Sequence, residues 1–167
     1  PPANGLLSLR KSIAKDLKSR WNLEYSPEDI LVAGGSRPLI YATFKTIVDE
    51  GDKVVYAVPS WNNNHYAYLT SANAVEVEVS PENNFLPTAA DIIPHLEGAV
   101  LVALCSPLNP TGTMFTKEQL SDICEAIIAE NKKRGEAEKP LYLMYDQIYA
   151  MLTFGDSEHF NPVTLFP

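Results

Sequence analysis

Two segments of the 167-residue chain join an apolar run to fixed polar groups. Ser106-Pro107-Leu108-Asn109-Pro110-Thr111-Gly112 follows the run Ala99 to Cys105, and Asp146-Gln147-Ile148-Tyr149 follows the run Leu141 to Tyr145. Each reads as a buried strand that ends in side chains able to grip a ligand, and in open α/β sheets ligands bind at the carboxyl ends of strands. A carboxylate such as Asp146 at the end of a buried strand is costly unless paired, and a protonated ring nitrogen would supply such a partner. Tyr149, one helical turn later, falls on the same side as Asp146. Asn109 stands between Pro107 and Pro110, a rigid setting for an amide that must meet one ligand oxygen. Taken alone, Asn-Pro-Thr-Gly is a turn-forming sequence and Asp-x-x-Tyr a common one.

Two further polar stations follow apolar runs. Gly34-Gly35-Ser36 lies between Ile30-Leu31-Val32-Ala33 and a helical pattern, where free backbone N–H groups, a helix start and a hydroxyl would seat a phosphate. The same residues also suit a glycine turn with a serine cap and no ligand. Pro59-Ser60-Trp61 follows Lys53 to Val58, and the Trp61 indole offers a flat apolar face for stacking on a planar ring, or for core or interface packing. Asn62-Asn63-Asn64-His65 suits loop turns and helix caps as well as substrate contacts.

The elements that must position these groups alternate along the chain. Leu6, Leu9, Ile13 and Leu17 recur at helical spacing, with Arg10, Lys11, Lys15 and Lys18 mostly off that face, predicting an amphipathic helix over 5–20. Ile30 to Ala33 reads as a strand, and 37–50 as a helix with Ser36 as N-cap, Pro38 in its first turn and Gly51 at its stop. Lys53 to Val58 is the next strand, followed by a short helix from Asn63 to Ser71. Val75, Val77 and Val79 alternate with Glu76 and Glu78, the pattern of a strand near a sheet edge. A short helix interrupted at Pro94 is expected over Thr88 to Leu96. Thr116 and Gln119 form a capping box before a helix with the apolar face Leu120, Ile123, Cys124 and Ile127, and residues 155–167 read as loop. Mostly continuous apolar strands alternating with helices define an α/β chain with a largely parallel sheet covered on both faces, a three-layer α/β/α arrangement. Right-handed crossovers then bring all four polar stations to one crevice.

Composition narrows the function. With 46% hydrophobic residues the chain can build one core, as one domain or part of one. A net charge of −8 argues against nucleic acid and anionic membranes as partners, and no apolar run approaches the roughly 20 residues of a membrane span. Cys105 and Cys124 lack metal-type spacing and read as reduced packing residues, as expected of a cytoplasmic protein; no metal site is predicted. His65, His95 and His159 lie in different segments with no nucleophile to serve.

The ordered set resembles a known family. The helix with Leu9-Arg10, Gly34-Gly35-Ser36, Gly51-Asp52, Pro59-Ser60-Trp61, Asn109-Pro110-Thr111-Gly112 and Asp146-x-x-Tyr149 together look like the fold-type-I pyridoxal phosphate enzymes, specifically the aspartate-aminotransferase-like class I and II aminotransferases. The resemblance spans nearly the whole chain. It implies that Asp146 pairs with the pyridinium nitrogen and that Asn109 and Tyr149 hydrogen-bond the ring's phenolic oxygen. It also implies that Trp61 covers one ring face, and that Gly35 and Ser36 bind the phosphate while Gly34 leaves room for close approach. The implied activity is amino-group transfer between an amino acid and a 2-oxo acid, in a homodimeric parent enzyme. A carbon–sulfur β-lyase or amino acid decarboxylase would share the same cradle, and a non-catalytic α/β binding or assembly module is the alternative of another class. The family's covalent lysine follows Asp-x-x-Tyr, yet no lysine occurs after Asp146. By resemblance, therefore, 1–167 is a partial large domain with about five of seven family strands. The catalytic lysine is expected beyond Pro167, and the small C-terminal domain is expected to be absent. The strand at Ile30 to Ala33 is expected to lack its neighbour, leaving unpaired backbone groups at about 1–3 kcal/mol each.

Overall fold

A computed structural model describes residues 2–167. Four strands, β1 Lys53–Val58, β2 Asn73–Glu78, β3 Ala99–Cys105 and β4 Tyr142–Asp146, form one sheet in the order β2-β1-β3-β4 with every pair parallel. Six helices accompany them: α1 Leu7–Trp21, α2 Ser36–Ile47, α3 Asn63–Leu69, α4 Ala89–Ile92, α5 Lys117–Lys133 and α6 Pro162–Leu165.

Both faces of the sheet are covered, as the continuous apolar runs require. On one face Phe44 and Val48 from α2 and its end, with Tyr66 and Ala67 from α3, pack on Val54, Tyr56, Leu101 and Ala103. On the other, Ile92 of α4 and Leu120, Ile123, Cys124 and Ile127 of α5 pack on Val55, Val77, Val102 and Leu104. Alternation along β3 slips once. Val100 and Leu101 both join the first cluster, where the register with β1 shifts between Lys53 and Val54. Strand β2 is an edge, with Glu76 and Glu78 exposed and Val77 buried, as its alternation predicts. The capping box of α5 is formed: Gln119 N–H donates to Thr116 Oγ1 at 3.2 Å and Thr116 N–H donates to Gln119 Oε1 at 3.0 Å.

The connection from β1 to β2 runs through α3 on one face, whereas those from β2 to β3 and from β3 to β4 run through α4 and α5 on the other. The winding therefore reverses between β1 and β3. Diverging connections leave a crevice beyond the carboxyl ends of those two strands.

Five expectations are corrected. Ile30 to Ala33 is not a strand, although Ile30 is extended, so the sheet has four strands rather than five: among the described residues none pairs with it along its length, and only the Val32 N–H donates across, to Asn4 O at 3.2 Å. Helix α2 starts at Ser36 with Gly35 as its N-cap, and no side-chain cap bond is made, so Ser36 is not the cap. The helix also stops at Ile47, before Gly51, which turns the chain into β1 at φ 83°. Residues 155–167 contain the short helix α6, whose start is capped by Asn161 Oδ1 accepting from Val163 N–H at 3.0 Å. On α1 the expected face is only partly realised: Ile13 and Leu17 are half-buried and Lys11, Lys15 and Lys18 exposed, but the first turn departs from it. Leu6 and Leu9 are exposed, while Arg10 is 5% exposed and donates to Gly5 O and Pro27 O beside Glu28.

Candidate functional site

The crevice at the winding reversal is a cleft of about 150 Å³ lined by residues from five places in the chain. Ser36 enters it at the start of α2, Trp61 from the turn after β1, Asn109 from the loop after β3, and Asp146 and Tyr149 from the end of β4. Five of the seven residues singled out in the sequence thus share one hollow. Gly34 and Gly35 do not line it; they form the approach to Ser36.

Each side chain is held by local chemistry. Asn109 Nδ2 donates to Tyr149 Oη at 3.2 Å, joining the β3 and β4 loops across 40 residues of sequence. That bond occupies one amide hydrogen of Asn109 and one lone pair of Tyr149, leaving the tyrosine O–H free to donate. The loop that carries Asn109 is pinned behind it by the Gly112 N–H donating to Leu108 O at 2.7 Å, and by the Phe115 N–H donating to Ser106 Oγ at 3.4 Å. Asp146 lies opposite Cys105 in the β3–β4 register, and its Oδ1 accepts from Ile148 N–H at 3.0 Å. The carboxylate is partly buried. One of its oxygens is committed to the turn, and the rest of its acceptor capacity is open.

Apart from Asn63, which the sequence offered as a possible substrate contact, the residues that complete the walls carried no mark of a site. Ile40 of α2, Met144 of β4 and Leu104 of β3 supply apolar surface, Asn63 and Tyr66 come from α3, and Arg37 follows Ser36. Ile40 and Met144 fall in ordinary apolar positions of a helix and a strand, which carry no mark of a site. Cys105 also lines the cleft; burial pushes its thiol up to about 11, so it is an un-ionised packing group. Cys124, a free thiol buried against α5's own face, is likewise raised to about 11 by burial.

A parallel, doubly covered sheet with a polar cleft at its winding reversal defines an α/β protein built to hold a ligand at the ends of its strands. The family model for aminotransferases of class I and II matches residues 1–166, and the chain belongs to that family. An aspartate aminotransferase of Bacillus subtilis (strain 168) is 32% identical over 160 residues, which are 95% of this chain and 38% of that protein. One from Bacillus sp. (strain YM-2) is 30% identical over 162 residues, 96% of this chain and 39% of that protein. The structure of the aspartate aminotransferase from Thermus thermophilus with maleate superposes with a TM-score of 0.89 at 27% identity, over 99% of this chain and 41% of that one. The chain thus spans about two-fifths of the length of the relatives it matches. Among the described residues, no helix is long and apolar enough to cross a membrane.

Proposed function

We propose that this chain is the cofactor-holding portion of a pyridoxal 5′-phosphate-dependent aminotransferase, which moves an amino group between an amino acid and a 2-oxo acid. One observation carries the reading: Asp146, the Asn109–Tyr149 pair, Trp61 and Ser36 converge on a single cleft at the strand ends, in a chain of the aminotransferase family. The names of its relatives favour this activity over a carbon–sulfur lyase or decarboxylase of the same fold. In the same proposal, residues 1–167 form part of the large domain of a cytoplasmic, homodimeric enzyme.

The donor set fits the cofactor. A Cβ added at Gly34 or Gly35 meets nothing within 4 Å, so the space before α2 is open for a phosphate beside Ser36. The first N–H groups of α2 have no partner within the helix and point to that space. Asp146 would hold a proton on the ring nitrogen, Asn109 and the free O–H of Tyr149 would meet the phenolic oxygen, and Trp61 would cover a ring face. When bound, the cofactor supplies an electron-poor ring that draws electrons from the substrate α-carbon. With the cofactor in place, the apolar walls from Ile40, Leu104 and Met144 would shield the Asp146 carboxylate from water and so strengthen its pairing.

Titration of the protein with pyridoxal phosphate, followed by absorbance, tests this reading. Asp146→Ala should weaken binding by about tenfold or more, the worth of one charge-assisted hydrogen bond. Equal affinity in wild type and variant, or no binding by the wild type, refutes it.

A further inference from the structure

We propose that Arg37 binds an oxyanion at the rim of the cleft and so selects for ligands that carry one; this rests on reading the cleft as a pyridoxal phosphate seat. Arg37 lines the cleft and also an adjoining hollow of about 370 Å³ that contains Tyr41, His65 and Leu69. Among the described residues it is the only full positive charge lining either space. Three of the chain's four arginines hold a carboxylate: Arg10 with Glu28, Arg20 with Asp16, and Arg134 with Glu130. Arg37 makes no ion pair among the described residues, although acidic residues outnumber basic ones by 21 to 13.

What holds the guanidinium instead is Trp61, whose ring centroid is 5.8 Å from Arg37 Cζ. Stacking on an aromatic face orients the group without neutralising it. Its in-plane N–H donors stay available, and that planar fork matches the two oxygens of a phosphate or carboxylate. Two ligands of the proposed enzyme could present such a group, the cofactor through its phosphate and a substrate through a second carboxylate. The chemistry recognised is the same in both.

Paired titrations of the protein separate the sources without relying on turnover. Affinities for pyridoxal phosphate and for pyridoxal are compared by absorbance, and those of the cofactor-loaded protein for succinate and for butyrate by tryptophan fluorescence. Arg37→Gln should lose about tenfold in one of these two anion preferences, while the ligand lacking the extra charge binds as before. Loss on pyridoxal phosphate assigns the phosphate, and loss on succinate assigns the carboxylate. Arg37→Lys, which keeps the charge but not the fork, should fall between. Arg37→Leu, which keeps an apolar contact with Trp61, gives the same measurement should Arg37→Gln not fold. Both preferences unchanged in a variant, with the wild type binding pyridoxal phosphate, overturns the role of Arg37 alone. A wild type that binds neither pyridoxal phosphate nor pyridoxal overturns the reading of the cleft itself.

Discussion

Replacing Gly35 with alanine isolates the cost of a backbone that glycine alone adopts readily. Gly35 precedes α2 at φ 118° and ψ 173°, a region almost closed to other residues at about 1–3 kcal/mol. Beyond its own chain neighbours a Cβ there would meet no atom within 4 Å, so the penalty is local to the flanking backbone and has no tertiary part. Lower entropy of the unfolded chain returns about 0.4–1 kcal/mol, leaving a net loss centred on about 1.3 kcal/mol and at most about 2.6 kcal/mol. Gly34→Ala is the matched control: its surroundings are equally open, and its φ lies outside the left-handed range. It should be neutral or slightly stabilising. Urea unfolding of the two variants and the wild type measures the difference. Because Gly35 aims Ser36 and the start of α2, Gly35→Ala should also weaken pyridoxal phosphate binding, whereas an isolated stability loss would leave it unchanged. If Gly35→Ala unfolds at the same urea concentration as Gly34→Ala, the backbone argument is wrong.

Tyr149→Phe removes the acceptor that holds Asn109 at 3.2 Å; cofactor affinity should fall several-fold, with a stability loss of about 0.5–1.5 kcal/mol, both read by titration and by urea unfolding. His159 supplies a pH dependence. Its Nδ1 is buried without a partner, its Nε2 lies 2.9 Å from Gln147 Oε1, and burial holds its pKa below the ordinary 6.5. As pH falls through 6.5 the unfolded chain binds this proton first, so the contribution of His159 is complete above that pH and is lost below it, down to the folded pKa. Urea midpoints measured on either side of pH 6.5 should show the loss in wild type and a flatter profile in His159→Gln; identical profiles would contradict it.

The sequence carried the site better than it carried the sheet border. Polar clusters after apolar runs are local signals, and Asn109, Asp146, Tyr149, Trp61 and Ser36 meet because parallel strands send their carboxyl ends to one edge. Thr116 and Gln119 likewise announce a helix start within four residues. Strand identity is different, because it needs a partner far away in sequence. Ile30 to Ala33 has the composition of a strand, but no ladder forms along it. Arg10 escaped pattern reasoning for a related reason. Its burial depends on carbonyls at Gly5 and Pro27 that periodicity does not register. Arg37 gave no signal either, since an arginine in a first helical turn reads as ordinary surface until Trp61 is brought beneath it.

The two borders of the sheet differ in what they present to a passing strand. Along β2, Glu78 is exposed beside Glu76, whose carboxylate accepts from the Tyr56 hydroxyl of β1 at 2.8 Å, so a second copy approaching that side meets like charge before any ladder can zip. Strand β4, Tyr-Leu-Met-Tyr-Asp, has no charged residue until its last position. Sheet growth is therefore discouraged at the β2 border by its own side chains, a device that β4 lacks before Asp146.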